Sequence, residues 1–216
     1  LSLATETQLK NDYNHLKEIT AQGIPLVLAD RVTDEIECDK VIINDREIAY
    51  TAVKKLIDDG RKRIALITTE NYLSVGNQRT NGYLDALKES NIEIDENLIL
   101  KLPEMKMDEQ AIANFFDREK VDAVLCVWEL YAIYGMRVAQ EKGFKIPEDI
   151  AFIGFTDGLL SKYSNPSLTA IAQHGIKMGE TAAEMLIEKI ESEKEEETYR
   201  TEIIASTLIE RESTNN

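Results

Sequence analysis

Short apolar runs alternate along the chain with longer segments whose apolar residues recur every three to four positions. Runs such as 64–67 and 121–127 are typical of strands buried on both faces. The segment 46–59 carries one apolar stripe at helical period and ends before Gly60, which favours a left-handed stop. The pattern predicts strands at 26–29, 64–67, 98–100, 121–127 and 150–155, helices at 46–59, 78–89, 108–118, 129–142 and about 176–190, and one or two closing strands at 199–209.

Strands that alternate with amphipathic helices form βαβ units, so the order of elements predicts an α/β fold with parallel sheets. Ligands of open α/β sheets bind beyond the carboxyl ends of the strands. The residues that directly follow the predicted strands are therefore the first candidates for a binding site.

The bulk properties narrow the class of protein. The chain has 216 residues, 43% of them hydrophobic, and a net charge of −15. A chain this acidic repels phosphate backbones, so we do not expect it to bind nucleic acid by itself. Only Cys38 and Cys126 are present, which is no disulfide framework, and Cys126 lies in an apolar run typical of a core. No signal segment or membrane span is apparent, so we expect a cytoplasmic protein.

Signatures of catalysis are missing from the sequence. It contains no Gly-x-Gly-x-x-Gly, no phosphate-binding Walker loop and no Gly-x-Ser-x-Gly elbow. His15 and His174 lie far apart with no nearby cysteine, which disfavours a zinc site. We therefore expect no enzyme activity, no metal and no cofactor.

Polar and aromatic residues do follow the predicted strands. Asp30 follows the first strand, the loop 68–78 with Tyr72 leads into Arg79, Trp128 and Glu129 follow 121–127, and Thr156 with Asp157 follows 150–155. Charged groups that form bidentate hydrogen bonds, together with a flat ring, suit a polyhydroxylated ligand. Each residue also has a structural alternative: Asp30 and Arg79 as an ion pair, Trp128 as core, and Thr156 with Asp157 as helix caps.

Several motifs, in order, resemble the LacI/GalR family of bacterial transcription regulators. Gly143–Phe155, which contains Pro147-Glu148-Asp149-Ile150 and Gly154-Phe155, is the most similar stretch. The other motifs are Gly23–Arg31, Val41–Asp45 with Leu56–Ala65, Arg79-Thr80-Asn81-Gly82-Tyr83 with Ala86-Leu87, Asn165–Thr169 and Glu210–Ser213.

The resemblance implies a periplasmic-binding-protein-like fold of type I, with two Rossmann-like lobes, parallel sheets and the ligand between them. By motif position, residues 1–43 and 173–204 form an N-terminal lobe, and residues 44–172 and 205–212 form a C-terminal lobe. We expect the N-terminal lobe to be incomplete and the helix-turn-helix headpiece to be absent. Exposed sheet edges in such a lobe favour swapping, association or disorder.

The resemblance also implies roles for individual residues. Asp30 and Arg79 match the family's carboxylate and arginine that contact sugars or bases. Trp128-Glu129 stands where the family commonly has Asn-Asp, and Thr156 stands where it has a ligand-contacting aspartate. We therefore expect Asp30, Tyr72, Arg79, Trp128, Glu129 and Thr156 to bind ligand, and Arg79→Ala to remove binding while the fold stays intact.

The function implied is sensing of an effector, a sugar or sugar derivative, by a homodimeric regulator. Effector binding favours the closed lobes and thereby alters operator binding through the headpiece. A solute-binding receptor that serves a transporter or sensor kinase has the same fold and is the alternative. An enzyme of the doubly wound class is the other rival, and it lacks a nucleophile or phosphate loop.

Overall fold

A computed structural model describes residues 1–70, 74–103, 108–156, 158–192 and 198–215. The chain packs as two units. Unit 1 contains Leu1–Asn44 and His174–Ala205 together with 74–75, and unit 2 contains the remaining described residues. The chain passes between the units after Asn44, Gln173 and Ala205.

Unit 1 is built on a three-stranded parallel sheet. Its strands are β1 (Val27–Ala29), β2 (Asp39–Ile43) and β8 (Thr201–Ile204), in the order β1-β2-β8. Its helices are α1 (Thr5–Lys10), α2 (Asn14–Ala21) and α8 (Gly175–Glu191). The backbone of Leu1–Leu3 runs beside β1, since the Ala29 amide donates to the Leu1 carbonyl at 2.7 Å. Residues 1–43 therefore form two helices and two strands of the same sheet.

A small apolar cluster lies under the first helices of unit 1. Leu16 of α2 packs with Leu3, Tyr13, Leu28, Ile36 and Cys38, all of them buried. On α8 the buried side chains are Met178 and Met185, whereas Ile176, Ile187 and Ile190 are exposed. The helical period of this segment was thus predicted correctly, although its isoleucines do not form the buried face.

Unit 2 is built on a six-stranded sheet in the order β4-β3-β5-β6-β7-β9. All neighbours pair in parallel except β9, which is antiparallel to β7. The strands are β3 (Ile64–Thr69), β4 (Ile99–Leu102), β5 (Ala123–Cys126), β6 (Ala151–Phe155), β7 (Thr169–Ala172) and β9 (Thr207–Ile209). The helices are α3 (Asp45–Asp58), α4 (Ser74–Glu89), α5 (Glu109–Arg118), α6 (Glu129–Glu141) and α7 (Leu159–Tyr163), and a 3-10 turn at Glu96–Leu98 precedes β4.

The apolar runs of the sequence become the central strands of this sheet. Every residue of β3, β5, β6 and β7 is buried. Full burial of a strand requires cover on both faces, which is the arrangement of α/β proteins. The predicted α/β class with parallel sheets is confirmed. Gly60 has φ of +89°, so the predicted left-handed stop after α3 is confirmed too.

Polar side chains fix the local geometry of unit 2. Asp108 begins α5 by accepting a hydrogen bond from the Ala111 amide at 2.9 Å. Tyr83 of α4 is fully buried, and its hydroxyl donates to the Ile64 carbonyl at 2.9 Å. Burial raises the pKa of Tyr83, so this phenol stays a neutral donor. The hydrogen bond ties α4 to the start of β3.

Both cysteines are free and buried. Burial raises the pKa of the Cys126 thiol, as expected for a core residue. Among the described residues, no helix is both long and apolar enough to cross a bilayer.

Candidate functional site

The carboxyl ends of β5 and β6 carry most of the predicted ligand residues of unit 2. These strands are neighbours and run in parallel, so their ends lie at the same edge of the sheet. Trp128 and Glu129 follow β5 and begin α6, and Thr156 follows β6. Arg79 reaches the same edge from α4. We call this edge, with Arg79, Trp128, Glu129 and Thr156, the carboxyl-edge cluster.

Arg79 is buried in a dense set of polar contacts. Its Nε donates to an Asp45 carboxylate oxygen at 2.6 Å, and its Nη1 donates to the Val127 carbonyl at 2.6 Å. Its Nη2 donates to Gln173 at 2.8 Å, and its Cζ lies 3.9 Å from the centroid of the Phe155 ring. Val127 and Phe155 directly precede Trp128 and Thr156, so Arg79 braces the edge on which those two residues lie.

The Arg79 side chain is only 6% exposed and that of Asp45 only 8%. A buried charge that loses its partner is strongly destabilising. Arg79 therefore stabilises the fold as well as any site beside it. The expectation that Arg79→Ala leaves the fold intact is revised on this ground. Three of the five N–H groups of the guanidinium are used in these contacts, which leaves two.

Trp128 is partly buried and meets Tyr131 edge to face, with ring centroids 5.3 Å apart. Its neighbour Glu129 is the first residue of α6. Glu129 is also partly buried, and its Oε1 accepts a hydrogen bond from the Thr156 hydroxyl at 2.7 Å.

Thr156 is itself buried, with 5% of its surface exposed. Besides donating to Glu129, its hydroxyl accepts a hydrogen bond from the Gly158 amide at 2.6 Å. Gly158 is the N-cap residue of α7, so Thr156 takes part in the turn that leads into that helix. This agrees with the structural alternative for Thr156. Its neighbour Asp157 lies outside the described residues.

Asp30 belongs to unit 1, where it follows β1. Its φ is +66°, a left-handed backbone that aspartate adopts more readily than most residues. Its amide donates to the Val41 carbonyl at 3.0 Å, and its carboxylate lies 4.0 Å from Nε of Arg31. Tyr72, the remaining predicted ligand residue, lies outside the described residues.

Two surface pockets lie away from the carboxyl-edge cluster. One, of about 390 Å³, is lined by Arg63, Tyr83, Glu93 and Leu98 among others, at the amino end of β3 and thus at the opposite edge of the same sheet. Another, of about 280 Å³, lies in unit 1 beside Asp39, Lys189 and Tyr199. Within the described part of the chain, no group of histidine, cysteine, aspartate and glutamate side chains is arranged to hold a metal ion.

Residues 53–214, which include all of β3–β7 and most of the cluster's supporting contacts, match the sequence profile of the periplasmic binding protein-like domain. The chain belongs to this family. Similar proteins include the ribose operon repressor of Haemophilus influenzae, 31% identical over 89% of this chain and 58% of the repressor. The transcriptional repressor PurR of Vibrio atlanticus is 35% identical over 80% of this chain and 52% of PurR.

A solved structure of a transcription regulator shares the fold of this chain. The transcriptional regulator CelR in complex with cellobiose superposes with a TM-score of 0.83 and 27% identity, over 94% of this chain and 62% of CelR. The resemblance to LacI-type regulators read from the motifs is thereby confirmed. This chain spans about half the length of the curated relatives that it matches.

Sequence reasoning missed several residues that shape this periplasmic binding protein-like domain. Asp45, Gln173 and Gly158 were not predicted to matter, although each contacts a predicted ligand residue. Asp45 directly follows Asn44, and Gln173 directly precedes His174, two of the places where the chain passes between the units. Polar residues that flank a crossing were thus a signal available in the sequence.

Proposed function

We propose that this chain is the effector-sensing part of a LacI-type transcription regulator and that its effector is a sugar or sugar derivative. The observation that carries the proposal is the family match together with its regulator relatives. One relative is named for a ribose operon, and one structural neighbour is a regulator in complex with cellobiose. Both names point to carbohydrate effectors.

The proposed effector contacts are the residues expected from the sequence: Asp30, Tyr72, Arg79, Trp128, Glu129 and Thr156. Support comes from unit 2, where Arg79 donates to the Val127 carbonyl directly before Trp128, and Glu129 accepts from Thr156 after the neighbouring strand. This edge is where α/β sheets bind ligands. A carboxylate and remaining guanidinium N–H groups match the hydroxyl groups of a sugar, and an indole ring suits its apolar face.

The proposed mechanism is a shift of populations. The effector stabilises whichever conformation it binds more tightly, and the size of the shift equals that difference in binding free energy. In the intact protein this conformation sets the affinity for operator DNA through a headpiece, in a cytoplasmic homodimer. No reaction is catalysed in this scheme, in keeping with relatives that are named as repressors.

A solute-binding receptor of a transporter or sensor kinase is the second candidate, since the family description itself is that of periplasmic binding proteins. Both candidates bind a small molecule at the same place. The regulator is favoured because the relatives reported above are regulators by name.

A thermal-shift screen against neutral sugars, including D-ribose and cellobiose, tests the proposal. A ligand at 100 times its dissociation constant adds about 2.7 kcal/mol to the free energy of unfolding, which raises the melting temperature measurably. We expect a saturable rise with at least one sugar and none with glycerol at equal concentration. If no sugar raises the melting temperature, carbohydrate sensing is wrong.

A further inference from the structure

One hydroxyl group in the carboxyl-edge cluster donates its only proton to a neighbour in its own chain. A threonine hydroxyl has one proton to donate, and Thr156 donates it to Oε1 of Glu129 at 2.7 Å. The same oxygen accepts from the Gly158 amide at 2.6 Å, and the residue is buried. Thr156 therefore has no proton left to donate to a ligand, so any contact that it makes with the effector is as an acceptor, and its donor is directed at Glu129.

Gly158 serves the same carboxylate in a second way. A Cβ atom built at this position would overlap the carboxylate of Glu129, with the carboxyl carbon only 2.7 Å away. Only glycine leaves this space open. The short segment between β6 and α7 thus positions the carboxylate of Glu129, the first residue of α6: Thr156 donates a hydrogen bond to it, and Gly158 leaves room for it.

Among the described residues, no lysine or arginine side chain forms an ion pair with Glu129, and the guanidinium of Arg79 is paired with Asp45 at 2.6 Å. Oε2 of Glu129 accepts no hydrogen bond from the described residues. An ionised carboxylate only accepts hydrogen bonds, so this oxygen binds hydroxyl donors and repels anions.

We propose that Glu129 determines the specificity of the effector site, and that it selects neutral polyhydroxylated ligands over their phosphate esters. Thr156 and Gly158 are positioning residues that aim its carboxylate. This inference rests on the proposed function, since it concerns the same site.

Isothermal titration of the intact chain with D-ribose, cellobiose, D-ribose 5-phosphate and D-glucose 6-phosphate tests the inference. We expect a neutral sugar to bind at least about tenfold more tightly than either phosphate ester, because the Glu129 carboxylate repels the negatively charged phosphate group. Glu129→Gln should weaken the binding of the neutral sugar by about tenfold. It should also reduce the difference in affinity between the neutral sugar and the phosphate esters. Glu148 is an exposed glutamate outside the cluster, so Glu148→Gln is the matched control. It should change neither the affinity for the neutral sugar nor the difference from the esters.

The positioning role has its own variants. Thr156→Val removes the hydroxyl that donates to Glu129 and should weaken the binding of the neutral sugar as Glu129→Gln does. Thr156→Ser keeps a hydroxyl at this position and should bind the neutral sugar as the wild type does. A purely structural threonine would lower the melting temperature of the valine variant and leave sugar affinity unchanged, which would overturn the positioning role.

The remaining outcomes separate this inference from the proposed function. If a phosphate ester binds the wild-type chain as tightly as the neutral sugars, or Glu129→Gln binds neutral sugars normally, the specificity proposal is wrong and sugar sensing stands. If none of the four compounds binds, both the specificity proposal and the carbohydrate effector are wrong.

Discussion

At the residue scale, a buried ion pair lies in the candidate site. Arg79 and Asp45 are both buried, and they lie 34 positions apart in sequence. The motif Arg79-Thr80-Asn81-Gly82-Tyr83 marked the arginine, but nothing local to it indicated which carboxylate would pair with it. Pairing of this kind depends on how α3 and α4 pack, so the sequence predicted the residue and not its partner.

The buried pair leads to a prediction for stability. Arg79→Ala removes the counter-ion of Asp45 and should lower the free energy of unfolding by about 3–5 kcal/mol. Asp45→Ala should also be costly, and the double variant should cost less than the sum of the two, because neither charge is then left behind. Urea denaturation of the three variants measures this coupling. Additive losses would show that the two side chains do not stabilise each other.

At the element scale, hydrophobic pattern predicted some elements and missed others for a physical reason. The strands β3, β5 and β6 coincide with continuous apolar runs, because they are buried on both faces. β2 alternates buried and half-buried residues over only five positions, and β7 begins at a polar Thr169, so neither is apparent as a strand. The buried face of α8 is formed by two methionines rather than by its isoleucines, which periodicity alone does not reveal.

The crossing of α3 and α4 depends on one glycine. A Cβ atom at Gly82 would overlap the Arg46 carbonyl and lie 2.9 Å from the Tyr50 amide nitrogen, and helix backbone cannot move aside cheaply. Gly82→Ala should therefore destabilise the protein by about 1–3 kcal/mol. Gly179→Ala in α8 is the matched control. Its Cβ would meet no atom within 4 Å, so it should stabilise by about 0.5–1 kcal/mol.

Urea midpoints of these two variants give the comparison directly. Equal effects at both positions would mean that α3 and α4 do not approach each other as closely as the structure indicates.

At the scale of the whole molecule, the order of several motifs along the chain identifies the family better than any single motif does. The ordered series of motifs indicated the family, and the family profile confirms it over residues 53–214. The residues that follow the strands led to the prediction that Asp30, Arg79, Trp128, Glu129 and Thr156 lie at one rim. Arg79, Trp128, Glu129 and Thr156 belong to unit 2, whereas Asp30 follows β1 of unit 1. The sequence did not predict that the Thr156 hydroxyl would donate its hydrogen bond to Glu129, since that contact joins residues 27 positions apart.

The proposed function locates the effector at the carboxyl-edge cluster and not in the 390 Å³ pocket at the opposite edge of the sheet. Trp128 is the only tryptophan of the chain, so its indole N–H gives a single identifiable signal in a proton–nitrogen correlation spectrum. Titration with the sugar that gives the largest thermal shift should move this signal together with the amides of Val127 and Glu129. Saturable shifts confined to Arg63, Glu93 and Leu98 around the opposite pocket, with the Trp128 signal unmoved, would contradict the account.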